Sequence, residues 1–208
     1  MLDLTPGTLG HASARVPGSD RIVIRARGPS EFGVRYTTAE QIIDVDADGR
    51  RLQAANDGFA APLEVHIHTE IGMAIAGLKH GLRMVSQQAI RFYNRTGYHA
   101  YEGITEDFEE RARINRDLGQ NRAMIMHNHG LLTVGKNARE AFVLMKTLVE
   151  AADIQLRMEA TGGELIEIPS QICESTAAQY QTHDSGRGSA DWPAFLRIAD
   201  QIDPSYRN

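Results

Sequence analysis

The sequence has 208 residues, 42% apolar and 24% charged, the make-up of a folded chain of about one domain. That balance excludes a disordered or fibrous protein, and no apolar run reaches the ~18 residues of a membrane-spanning helix. The formal net charge of −5, with Lys and Arg scattered rather than gathered, excludes an electrostatic footprint for nucleic acid or anionic membrane and favours a small-molecule substrate.

The start, Met1-Leu2-Asp3-Leu4-Thr5-Pro6, lacks the basic and then apolar regions of a secretory signal, so a cytoplasmic location is expected. Glycine and short strands dominate the N-terminal third. Arg21-Ile22-Val23-Ile24-Arg25 alternates, Thr37-Thr38-Ala39-Glu40 opens one short helical turn, and Ile42-Ile43-Asp44-Val45-Asp46 runs into the turn Ala47-Asp48-Gly49. Residues 54–62 have no periodicity and read as a loop. Leu63-Glu64-Val65-His66-Ile67-His68 alternates again, which predicts a strand, and the apolar residues from 70 to 78 suit a buried helix. A polar, charge-laced helix is expected over 105–118, then the short apolar strand Ala123-Met124-Ile125-Met126, the turn His127-Asn128-His129-Gly130, and Leu131-Leu132-Thr133-Val134-Gly135. From Asn137, which forms a capping-box-like start with Glu140, the period becomes helical. Phe142, Met145, Leu148, Val149, Ala152 and Leu156 form one apolar stripe, closed by Gly162-Gly163. Beyond Pro169 the pattern predicts a helix through Tyr180, a hinge loop at His183-Asp184-Ser185-Gly186-Arg187-Gly188-Ser189, and a last helix over 191–202. Alternating strands and helices make this an α/β domain over residues 1–169, with a helical tail over 170–208.

Cys173 is the only cysteine, so an intrachain disulfide and a thiolate cluster are both excluded, and any metal site must use imidazole and carboxylate. Four of the eight histidines fall in two His-x-His pairs, His66 with His68 and His127 with His129. Residues two apart on a strand point to one face, so such a pair can hold one cation. On spacing alone, a metal site and a pair of hydrogen-bonded structural histidines stand level.

The residues around these pairs resemble a known family. Val65-His66-Ile67-His68-Thr69, followed by Gly72-Met73-Ala74-Ile75-Ala76-Gly77-Leu78-Lys79, is similar to the segment of the class II aldolase/adducin family that carries its first two metal histidines. Ser86-Gln87-Gln88-Ala89-Ile90-Arg91-Phe92-Tyr93 and Tyr98-His99-Ala100-Tyr101-Glu102-Gly103 resemble the adducin-like branch, and Asn128-His129-Gly130-Leu131-Leu132-Thr133-Val134-Gly135 resembles the segment of the third histidine. Gly7-Thr8-Leu9-Gly10-His11-Ala12-Ser13-Ala14-Arg15 is similar to the substrate-binding loop. The resemblance implies a three-layer α/β/α fold around a mostly antiparallel or mixed sheet. It further implies a divalent metal on His66, His68 and His129, zinc first with iron or manganese as alternatives, and a cyclic homotetramer. His127 is read as a neighbour of the site. The implied activity is that of an aldolase-type lyase acting through an enediolate, with aldol cleavage, decarboxylation and epimerisation all open.

The helix that carries the family's acid/base glutamate has no counterpart before the His-x-His strand, and neither has the N-terminal helix before the glycine-rich loop. In one reading, shortening brings Glu64 beside the ligands. In the other, residues 62–71 are themselves the glutamate helix, and His129 loses its partners. Tyr93 resembles the region of an active-site tyrosine, and His11 stands where the sugar-phosphate aldolases carry asparagine. Only Gly28-Pro29-Ser30 stands for their phosphate-binding serines, so His11 and Gly28 are the substrate-binding candidates and a free hydroxy-carbonyl or keto acid is the expected substrate. Two other functions stay open, a non-catalytic adducin-like assembly domain and a histidine-ligated iron oxygenase.

Overall fold

The computed structural model of the chain describes residues 10–16, 18–26, 34, 37–46, 48, 50–52, 65–103 and 108–207. Two sheets organise them. The first is antiparallel, in the order β1 (Ser13–Arg15), β2 (Ile22–Arg25) and β3 (Ile42–Val45), with a short 3-10 turn at Ala39–Gln41 just before β3. Register sets Ile22 opposite Val45 and Ile24 opposite Ile43, so alternate side chains share one face and form a small core.

The second sheet has four strands in the order β4 (Val65–Ile67), β7 (Gly130–Thr133), β6 (Ala123–Met126) and β5 (Thr96–His99). β5 and β6 are parallel, and the other pairs are antiparallel. Every residue of β6 and β7 is buried because helices cover both faces. On one face Ile67, Ile125 and Leu131 pack against Ile75 of α1 (Glu70–Ala76), Ala89 of α2 (Gln87–Ile90), and Leu144, Met145 and Leu148 of α4 (Ala138–Ala160). On the other, Met124, Met126 and Leu132 pack against Ile114 and Leu118 of α3 (Phe108–Leu118). The result is the α/β/α layering around a mixed sheet that the sequence led us to expect.

Directly paired residues share a face, and this positions the site. His66 lies opposite Leu132, which lies opposite Met124, and His99 lies opposite Met126. His66 and His99 therefore belong to the face that α3 covers. The strand at Val65–Ile67 also decides between the two readings of the His-x-His segment, because its described part is extended rather than helical.

The helix α4 begins at Asn137, whose side chain accepts from the Glu140 N–H at 2.9 Å, a cap worth ~1 kcal/mol. The tail departs from expectation. In place of two helices and a hinge there is one helix, α5 (Ser170–Ile202). Cys173 and Ala177 anchor one end against Ile90, and Trp192 and Phe195 meet Phe142 of α4 at the other, with ring centroids 5.7 and 5.3 Å apart. Anchors at both ends favour one continuous helix despite its interior glycines, at ~1 kcal/mol each, and Pro193. Among the described residues no helix is long and apolar enough to cross a membrane.

Candidate metal centre

Three elements converge on one point. The strand β4 delivers His66, and His68 follows it just before Thr69, whose hydroxyl caps α1 by accepting from the Gly72 N–H at 2.9 Å. The hairpin between β6 and β7 delivers His129. Its turn closes with the His129 N–H on the Met126 carbonyl at 3.0 Å, and Asn128 occupies the left-handed region at φ 55°, which asparagine tolerates better than most residues. The Asn128 N–H and the His127 Nδ1–H both donate to the Ala76 carbonyl at 3.1 Å, so the C-terminal end of α1 holds the turn in place. Gly130 permits the approach, since a Cβ there would lie 2.4 Å from the Ile67 carbonyl oxygen.

One ring nitrogen from each of His66, His68 and His129 falls within 4.8 Å of the other two. The rings of His66 and His129 are 4.8 Å apart between centroids, and those of His68 and His129 are 4.7 Å apart. His66 Nδ1 lies 3.0 Å from the Leu131 carbonyl. A carbonyl only accepts, so Nδ1 carries the proton and Nε2 presents its lone pair, 2.7 Å from His68 Nε2. Burial above all, then the His68, His11 and His129 rings, hold the His66 imidazole well below the usual histidine range. Burial also lowers His129, against the opposing pull of the Glu110 carboxylate. Neutral imidazoles with one fixed tautomer are the donor set that a divalent transition metal takes, so these residues fit the ion that the sequence implies.

The other candidates fall elsewhere. His11 joins His66 through a two-way backbone bridge, each N–H donating to the other's carbonyl at 2.9 Å, and their rings are 5.7 Å apart. His127 turns away from the cluster toward Ala76 and stacks on Tyr98. Tyr93 packs with Ile90, Cys173, Ala177, Met84 and Ile168 under α5, so the structure does not bring it to the three histidines. Glu64 and Gly28 lie outside the described residues.

A second polar cluster was missed in the sequence. His99, 2% exposed at its side chain, lies 2.7 Å through Nδ1 from Asp117 Oδ2 and 3.7 Å through Nε2 from the buried Glu110 Oε1. The His99 ring and Arg116 hold the Asp117 carboxyl below the usual carboxylate range. Glu110 and Asp117 are seven residues apart on α3, two helical turns, and that spacing was the available signal.

The family described as Class II Aldolase and Adducin N-terminal domain matches residues 1–156. The chain belongs to the class II aldolase and adducin family. A Pseudomonas aeruginosa protein named "Putative aldolase class 2 protein" is 36% identical across 95% of this chain and 83% of its own length. Rat alpha-adducin is 41% identical over 48% of this chain, but that match covers 14% of the adducin. Among solved structures, an aldolase II superfamily protein from Pseudomonas syringae is 31% identical and superposes with a TM-score of 0.86, covering 99% of this chain and 88% of the other. The class II aldolase fold of this chain thus spans the whole helix-sheet-helix sandwich that carries the histidines.

Proposed function

We propose that the chain is a divalent-metal-dependent lyase of the aldolase type, making or breaking a carbon–carbon bond next to the carbonyl of a small hydroxy-carbonyl or keto acid. The observation that carries this reading is the convergence of His66, His68 and His129 on one point. Three imidazoles hold a metal while leaving positions for substrate oxygens, the pattern of a catalytic rather than a structural site. When bound there, a divalent cation, zinc before iron or manganese, supplies Lewis-acid charge stabilisation at a carbonyl oxygen. The protein's own part is to fix the donors. The Leu131 carbonyl sets the His66 tautomer, and the Ala76 carbonyl holds the turn from which His129 projects. Proton transfer is assigned to Glu64, two positions before His66.

The test is metal analysis of the purified protein, followed by a retro-aldol and decarboxylation screen over short hydroxy-carbonyl and keto acids with and without chelator. Turnover that chelation abolishes and metal restores is expected. Glu64→Gln should keep the metal content and lower turnover by about 10²–10⁴-fold, the scale of acid–base catalysis. Full turnover in that variant removes Glu64 from the mechanism. A second reading, a non-catalytic assembly domain, is favoured by the match to alpha-adducin. It predicts a protein that assembles normally and turns over no compound in the screen.

A further inference from the structure

We propose that His99, Glu110 and Glu102 form a second cation site, beside the three-histidine cluster, for a divalent transition-metal ion such as Zn²⁺ or Mn²⁺. One ligand atom from each lies within 4.8 Å of the other two. Acidic clusters are common at protein surfaces, but this one has a buried imidazole aimed into it. His99 Nδ1 donates to Asp117 Oδ2 at 2.7 Å, leaving Nε2 as a lone pair. That nitrogen is buried without a hydrogen-bond partner and points at Glu110 Oε1 across 3.7 Å.

An imidazole lone pair and carboxylate oxygens thus converge on one point, the donor set that a divalent cation takes. Asp117 supplies the outer contact that metal-bound histidines generally have, a carboxylate on the remote ring nitrogen that fixes the tautomer. Glu102 completes the set. Arg113 holds it through Nε at 2.8 Å and Nη2 at 2.6 Å, both on Oε2. One imidazole and two carboxylates suit zinc, iron or manganese better than the softer ions that prefer thiolates.

The site can be counted apart from the first. Equilibrium dialysis of the metal-free chain against Zn²⁺, and separately Mn²⁺, with elemental analysis should give two equivalents per chain. A His68→Ala/His129→Ala variant should keep one equivalent, held at His99. Glu110→Gln, a same-shape replacement, and the more accessible Glu102→Gln should each lose that equivalent and keep the one at the three histidines. Asp117→Asn should weaken it by about 10–100-fold, the usual effect of losing such an outer partner. If the His68→Ala/His129→Ala variant binds no metal while wild type binds one, the second site is overturned. If that variant binds one equivalent and wild type also binds one, the second site stands and the three-histidine reading fails instead.

Discussion

The chain holds two His-x-His pairs of identical spacing, and the fold treats them differently. His66 and His68 leave an extended strand in phase, so both rings face the same way and their Nε2 atoms meet at 2.7 Å. His127 and His129 flank Asn128 inside a turn, where the backbone reverses and successive side chains diverge. His127 is drawn to the Ala76 carbonyl, and His129 alone joins the other pair. The same three-residue pattern thus brings two rings to the cluster from a strand and one from a hairpin. Spacing specifies geometry only once the local backbone is known.

The sharpest way to test that contrast is to remove one histidine from each pair. His129→Ala should cut zinc affinity at the three-histidine site by more than the 10–100-fold that losing an outer partner costs, whereas His127→Ala should leave affinity within a few-fold. Calorimetric titration measures both, and equal losses would show that the second pair acts as a pair after all.

Acid should act on the first pair next. His66 is held well below the unfolded value of about 6.5, so between the two values the folded chain binds fewer protons than the unfolded one. Its contribution to stability is complete above about pH 6.5 and is lost as pH falls through the lower folded value. The melting temperature of metal-free protein should therefore drop on acidification from pH 7.5 to 5, and bound metal should leave over the same interval because protons compete for the same lone pairs. A His66→Asn variant should show a shallower drop, and an unchanged slope would separate the effect from His66.

Smaller effects belong to the hairpin. Gly130→Ala forces a Cβ against the Ile67 carbonyl oxygen, and a loss of about 1–3 kcal/mol is expected from denaturant unfolding, the range of overpacked interiors. The smallest change is the stability cost of His127→Ala, about 1 kcal/mol for one hydrogen bond to Ala76, with metal content intact.

Much of this arrangement was legible because it rests on period. Alternation at residues 22–25 and 42–45 and the stripe of Met145, Leu148 and Ala152 each report a face that must be buried. What escaped has a common cause, the absence of local periodicity. Thr96-Gly97-Tyr98-His99 has little alternation and owes its strand character to parallel pairing with β6. The helix α3 reads as solvated because charge dominates it, yet it buries Glu110 against the sheet, and only the register of distant strands tells which carboxylate turns inward.

The bridge between His11 and His66 joins the three-stranded sheet to the four-stranded one. Its two amide protons, each on the other residue's carbonyl, can exchange with solvent only when the sheets part. They therefore report how often the smaller sheet lifts from the larger. Because the ring of His66 belongs to the three-histidine cluster and its backbone to the bridge, a cation held by that ring is expected to slow deuterium uptake at His11 as well. In kinetic terms, loading the site would couple the opening of the smaller sheet to release of the ion.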